Sequence, residues 1–308
     1  MKKVVIIIVN WNGCADTVKC LESLKNISYP DYQVVIVDNG SEDGSEQRLR
    51  DRYPRHTVIQ SGSNLGFAGG VNIGIRRALE ENADFILILN NDTEVSRDFL
   101  DELVRTAGAE KGIGITGGKI YRLDDRKKLW SCGGTFNINS GRARHFVSEK
   151  ECLRPHAAGK PEFLYVQGCL MLIKKECVDD IGLFSERFFH LGEDVEYCVR
   201  AQKKGWRLGF APQSVIYHRA SASLRPFSPV YNYYEQRNRL SIVKEYHDYG
   251  NLFEMVMGVA ACAMRVLYTS FFRTSVKDFM SNLKWIFRGV RDFTRGKFGK
   301  IPGETVSR

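Results

Sequence analysis

Three short stretches carry side chains better suited to chemistry than to packing. In "ILILNNDTEV" (86–95) an aliphatic run breaks into Asn90, Asn91, Asp92, Thr93 and Glu94. Carboxylate and carbonyl oxygens of this kind suit a hard cation, Mg2+ or Mn2+, which keeps open positions for phosphate oxygens. The competing reading is a cap or turn before Ser96, and the strand end alone leaves both open. Glu193-Asp194 opens a helical stretch, where acids are ordinary partners of the helix dipole. The preceding "FSERFFHLG", however, is too aromatic for a solvated loop. His218 closes the strand-like "SVIYH"; a histidine there serves a core or a surface, and its neutral imidazole also suits Mn2+.

These groups need elements to position them. Over the first 120 residues, strand-like runs at 4–9, 33–38, 57–61 and 85–89 alternate with helical stretches at 16–24, after Ser45, at 67–80 and at 99–107. Near-continuous aliphatic strands separated by helices predict a mostly parallel α/β sheet covered on both faces. Ligands of such sheets bind outside the carboxyl ends of the strands. Each polar cluster follows such an end: Asn10-Trp11-Asn12-Gly13, Asp38-Asn39-Gly40-Ser41, "SNLGFAGGVNIG" (63–74) and Asn90-Asn91-Asp92. Four clusters on one edge describe a site. Between about 113 and 175, short strands with glycine turns predict an antiparallel insertion, and 163–176 reads as one strand returning to the core. Residues 192–205 read as a helix opened by acids and closed by lysines and Gly205.

A chain of 308 residues, 43% apolar and 11% aromatic, buries a large core and excludes a disordered class. Its net charge of +9 is uneven. Residues 251–308 hold ten Lys/Arg against four acids, so +6 belongs to the tail and gives no reason to expect a nucleic-acid partner for the rest. Eight cysteines without a C-x-x-C pair predict reduced thiols in a cytosolic protein. The opening "MKKVVIIIV" lacks an h-region of full length and a cleavage site, and reads as the first strand. In 276–293, Val276, Phe279, Met280, Leu283, Ile286, Phe287, Val290 and Phe293 form an apolar stripe. Lys277, Lys284, Arg288, Arg291 and Arg295 lie on another face. Such a helix lies on an anionic membrane, giving a peripheral location on its inner face, or packs on the catalytic domain or a partner chain. The run 255–264 is shorter than the roughly 20 residues of a span and reads as a buried or interfacial helix.

"VVIIIVNWNG", "VVIVDNGSEDGS", "NLGFAGGVNIG", "ILILNNDTEV" and "FFHLGEDVEYCVRAQKKGWRLGFAPQSVIYH" resemble, in order and spacing, family-2 glycosyltransferases of the GT-A fold. "GFAGGVNIG" with "NND" is most similar to the rhamnosyltransferase branch, and the likeness covers about 4–240. It implies a catalytic domain over 1–245, with a donor half to about 120 and an acceptor half beyond, and a basic helical tail over 246–308. It implies donor contacts from Trp11, stacked on the base, and Asp38, accepting the N3–H of uracil or thymine. Asn64, Gly69 in the Gly66–Gly70 loop, and Asn91 complete that set. Asp92 and His218 would be metal ligands, with Asn90 where the family's D-x-D motif has its first Asp, so one charge is missing. Asp194 would be the catalytic base, Glu193 would shape the site or touch acceptor hydroxyls, and Arg237 would meet a phosphate or face solvent. The activity implied is a metal-dependent, inverting transfer from a dTDP- or UDP-sugar, dTDP-L-rhamnose foremost, to a glycan or lipid-linked glycan of a cell-surface polysaccharide. The alternative is a non-catalytic sugar-nucleotide or glycan-binding subunit on the same fold.

Overall fold

The computed structural model describes residues 2–153, 161–219, 228–247 and 276–301, with three isolated helical positions at Ala260, Met264 and Tyr268. Along the chain run β1 (Val4–Asn10), α1 (Cys14–Leu24), β2 (Tyr32–Asp38), α2 (Ser45–Arg52), β3 (Thr57–Gln60), α3 (Gly66–Glu80) and β4 (Phe85–Leu89). They continue with β5 (Thr93–Val95), α4 (Phe99–Ala109), β6 (Ile113–Arg122), β7 (Leu129–Ser131), β8 (Gly134–Asn137), β9 (Arg142–His145), α5 (Glu149–Leu153) and β10 (Glu162–Tyr165). The last are β11 (Leu170–Lys174), α6 (Lys175–Ile181), α7 (Glu193–Lys203), β12 (Arg207–His218), α8 (Pro229–Tyr246) and α9 (Val276–Thr294).

The main sheet has the order β3-β2-β1-β4-β11-β6-β12-β5, with β7 on β6. Its first four strands are parallel, as are β6 and β12, while β11 runs antiparallel between β4 and β6. Both faces are covered, which is why β1 must be aliphatic throughout. Val5 and Ile7 enter one core with Val71 and Ile75 of α3, whereas Val4, Ile6 and Ile8 enter the other with Leu21 and Leu24 of α1. Each such side chain contributes about 1.5–3 kcal/mol on burial.

Helix α3 lies unusually close to β1. A Cβ at Gly74 would stand 2.4 Å from Ile7 Cγ2, and one at Gly70 would stand 2.8 Å from Val9 Cγ1. These two glycines, one helical turn apart, thus serve packing, and the close fit fixes the first turn of α3 at the carboxyl edge of the sheet.

Several expectations are corrected. Only the middle of 113–175 is an antiparallel insertion, a separate sheet ordered β10-β8-β9. Its beginning and end join the main sheet as β6 and β11, and 163–176 splits into two strands because the chain crosses between sheets at 166–169. The expectation of reduced thiols fails for one pair. Cys132 and Cys152 form a disulfide, because α5 returns over the end of β7 and brings their Cα atoms to 5.7 Å, a juxtaposition no spacing pattern reveals. Cys14, Cys20, Cys169, Cys177 and Cys198 are thiols. The tail helix α9 packs on α8: Tyr233 Oη donates to Asp292 Oδ2 at 3.0 Å, and a Cβ at Gly289 would meet the Tyr233 carbonyl at 2.8 Å. Most of the run 255–264 lies outside the described residues. Among the described residues, no helix is long and apolar enough to cross a membrane.

Replacing a mid-helix glycine by alanine ordinarily stabilises by roughly 0.5–1 kcal/mol. Gly74→Ala should have the opposite sign here, destabilising by about 1–3 kcal/mol through overpacking against Ile7; urea unfolding of the two proteins measures the difference.

Candidate active site

In-register pairing sets a row of polar side chains along the carboxyl edge. Asn10 pairs with Asp38, and Asp38 with Gln60. The Asp38 carboxylate accepts from Asn10 Nδ2 at 2.8 Å, Gln60 Nε2 at 3.0 Å and the Ser41 amide at 2.9 Å. Asn10 Oδ1 in turn accepts from Thr17 Oγ1 at 2.7 Å, and Thr17 Oγ1 accepts from Asn91 Nδ2 at 3.0 Å. The network continues to the third loop, where Asn64 Oδ1 accepts from the Gly66 amide at 2.9 Å and from Asn39 Nδ2 at 3.3 Å. Trp11 stands half-buried beside it.

This geometry revises several donor-side expectations. Asp38 is fully buried. With Asn10, Gln60 and the Ser41 amide on its carboxylate, it is closed off from solvent in this conformation. Asn91 points inward to Asn10 and Thr17. Gly69 faces Leu65, whose Cβ would lie 2.6 Å from an added Cβ, so its missing side chain makes room for the helix's own first turn. Asn10, Thr17 and Gln60 were not singled out as site residues; their positions at paired strand ends were the available signal.

On the next strand end, β5 pairs antiparallel with β12 so that Thr93 faces His218. That register sets His218 Nε2 3.0 Å from Asp92 Oδ1, both residues buried. Asn90 Nδ2 lies 3.3 Å from the same ring nitrogen. Asn90 Oδ1 and His218 Nδ1 are buried with no hydrogen-bond partner. A carboxylate, an imidazole and an unpartnered amide oxygen form a donor set that fits Mn2+ or Mg2+. Among the described residues no cluster of three His, Cys, Asp or Glu exists, in keeping with Asn at position 90.

Asp194 occupies the first turn of α7, following Leu191 and Gly192 at φ +67° and +87°. Its Oδ1 accepts from the Val195 amide at 2.8 Å and its Oδ2 from the Gly168 amide at 2.9 Å. Burial raises its pKa, and these backbone N–H groups oppose the rise by favouring the anion. Glu193 has less such support, one backbone N–H of its own, and its Oε2 is buried without a partner. Burial and the Asp194 charge push Glu193 up to about 8. The pair thereby divides its roles, with Glu193 holding a proton at neutral pH and Asp194 better supported as the anion.

Glu193, Asp194 and His218 line one cavity of about 390 Å3. Trp130, whose ring centroid lies 5.3 Å from that of His218, forms part of its wall. So do His145, Tyr165 and Gln167, the last with Nε2 2.7 Å from His145 Nδ1. Helix α8 contributes Tyr231, Glu235, Asn238, Arg239 and Ile242, one helical face at spacings of three and four. Arg237 is therefore turned away, and the expectation of a phosphate contact or a solvated side chain is corrected. It is buried against Tyr233 and Tyr234, and its Nη1 donates to the Gly299 carbonyl at 2.8 Å. The helical periodicity of 231–242 could have identified the cavity-lining side chains.

The raised Glu193 pKa has a stability consequence. The folded chain keeps this proton to about pH 8, whereas the unfolded chain releases it near 4.5, so stability declines as pH rises through that window. Glu193→Gln should flatten the decline and leave the protein more stable at pH 8 by on the order of 3 kcal/mol, read from urea unfolding at pH 5 and pH 8.

Residues 2–240 match the family described as glycosyltransferase like family 2. The chain is 28% identical to a low-salt glycan biosynthesis hexosyltransferase of Haloferax volcanii, over 76% of this chain and 73% of that protein. It is 24% identical to the N-acetylglucosaminyl-diphospho-decaprenol L-rhamnosyltransferase of Mycobacterium tuberculosis, over 71% and 77%. It is 23% identical to a dTDP-rhamnosyl transferase of Shigella flexneri, over 86% and 87%. Among solved structures, a mannosyltransferase from Pyrobaculum calidifontis in complex with GDP-Man and Mn2+ superposes with a TM-score of 0.57 at 15% identity, covering 96% of this chain and 88% of that one. GalNAc-T7 with UDP, GalNAc and Mn2+ gives 0.62 at 15% identity, covering 96% and 58%. The chain belongs to glycosyltransferase family 2, is rhamnosyltransferase-like within it, and has the GT-A fold.

Proposed function

We propose that this glycosyltransferase moves a sugar from a dTDP- or UDP-sugar, dTDP-L-rhamnose foremost, to a hydroxyl of a glycan or lipid-linked glycan, inverting the anomeric carbon. The observation that carries this reading is the shared cavity: Asp194 lines it together with His218, which contacts Asp92. Two relatives named for rhamnosyl transfer, one with a decaprenol-linked substrate in its name, support the choice of sugar and acceptor class.

In this reading Trp11 stacks on the base, and the Asn10–Asp38–Gln60 row holds the three loops that frame it. Asp38 takes the base N3–H when its loop opens. Asp92, His218 and Asn90 would hold a divalent cation, which when bound supplies positive charge to the departing diphosphate. Asp194 takes the proton from the acceptor hydroxyl as that oxygen attacks opposite the leaving group, and neutral Glu193 orients the hydroxyl without adding a second charge. Residues 1–245 form the catalytic unit and 246–308 the tail in this scheme.

The tail adds a second element. On α9 the exposed Met280 and Phe287, 57% and 65% accessible, lie on one stripe with exposed Lys284 and Arg291, and not on a separate face from them as the sequence pattern predicts. No acid falls on that stripe, and its chemistry complements an anionic bilayer surface. Co-sedimentation with phosphatidylglycerol-containing vesicles should exceed that with phosphatidylcholine alone and fall on Phe287→Ser with Lys284→Glu; equal binding to both lipids sinks this element.

Asp194→Asn should lower dTDP release from dTDP-L-rhamnose about 10²–10⁴-fold while the protein stays folded. EDTA should abolish turnover of the wild type and added Mn2+ restore it. Near-normal turnover by the variant removes the base, and turnover unaffected by EDTA removes the cation.

A further inference from the structure

We infer that Asn238 is a positioning residue for the carboxylate of Asp194, acting through the turn that precedes α7. The inference rests on the reading of Asp194 as the base. The turn is costly on its own. Leu191 is a branched residue in the left-handed region at φ +67°, a conformation that disfavours L side chains by about 1–2 kcal/mol. Gly192 follows at +87°. One side chain from another element compensates for this. Asn238 Nδ2 donates to the His190 carbonyl at 2.8 Å and to the Leu191 carbonyl at 2.7 Å.

The remaining amide atom is also engaged. Asn238 Oδ1 accepts from Arg237 Nε at 3.0 Å, and the side chain is buried. Its Cβ would lie 3.6 Å from a Cβ at Gly192, so it also packs against the turn. The same loop is held at two further points. The Phe189 carbonyl accepts the Phe67 amide of α3 at 3.1 Å, and the Arg187 carbonyl accepts the Gly299 amide at 3.1 Å. Those contacts fix where the loop lies. Asn238 alone among these groups bonds the two peptides that flank Leu191, and so sets the angle at which the first turn of α7 presents Asp194 to the cavity.

The test compares Asn238→Ala, Asp194→Asn and the double variant in the full chain, using dTDP release from dTDP-L-rhamnose. Asn238→Ala should lower kcat about 30-fold or more with the donor KM within about threefold, because misplacing a reacting group costs up to about 10²-fold without touching the donor site. The double variant should be no slower than Asp194→Asn, since the two side chains act through one event. A purely structural role would instead multiply the two losses. Asn238→Ser, which keeps one donor, should fall between wild type and Asn238→Ala, and it stands in should the alanine variant not fold. Hydrogen exchange needs no substrate: in Asn238→Ala, or in Asn238→Ser, residues 187–196 should exchange faster while 197–203 keep their protection.

Wild-type kcat in a folded Asn238→Ala, multiplied losses, or unchanged exchange over 187–196 each overturn the inference while leaving Asp194 as the base. Near-normal turnover by Asp194→Asn removes the base itself and Asn238's role with it.

Discussion

Two consecutive residues, Gly168 and Cys169, hold the site together. The Gly168 amide donates to Asp194, and the Cys169 carbonyl accepts from the Asn90 amide at 3.2 Å. This dipeptide therefore touches the acid on α7 and the first residue of the polar segment that carries Asp92. The Cys169 thiol lies within the influence of both carboxylates, whose charges add to burial in raising its pKa. Everything else follows from keeping that unit in place. It sits where the chain leaves the small sheet and enters β11, between β4 and β6. An antiparallel strand at the centre of a largely parallel sheet is what lets residues of the two halves converge.

The donor side solves a different problem. Strand ends expose backbone groups and polar side chains that cost free energy if left unpaired. Asn10, Asp38, Gln60 and Asn91 satisfy one another through register, so the loops behind them start from fixed positions. The close seating of α3 on β1 belongs to the same solution, because it brings Asn64 to Asn39 without a long loop.

The alternating strands and helices were legible because both faces of the sheet are buried and the period of each element survives in the hydrophobic pattern. That the polar clusters at 10, 38 and 92 end strands on one edge was legible from the strand pattern, whereas the roles given to 38, 64, 92, 194 and 218 rest on motif order. What was hidden depends on distance. The Cys132–Cys152 bond, the inward turn of Asn91 and the burial of Asp38 arise from contacts between elements that no local pattern encodes. Arg237 illustrates the limit within a single helix. Its motif was noticed, but only the phase of α8 against the cavity decides that 231, 235, 238, 239 and 242 face the site while 237 faces the tail. Gly69 and Gly70, read as part of a donor loop, meet Leu65 and Val9, and the packing of Gly74 on Ile7 was not foreseen.

The tail's seat on the 187–191 loop has a temporal meaning. Gly299 and Ile301 bond Arg187 and Tyr234, more than sixty residues after α8 begins. Chains fold from the amino end as they are synthesised. The sheet and its nucleotide edge are thus complete while these last contacts are still missing. A nascent chain therefore completes its main sheet first and gains the last supports of the 187–191 loop only near the end of translation.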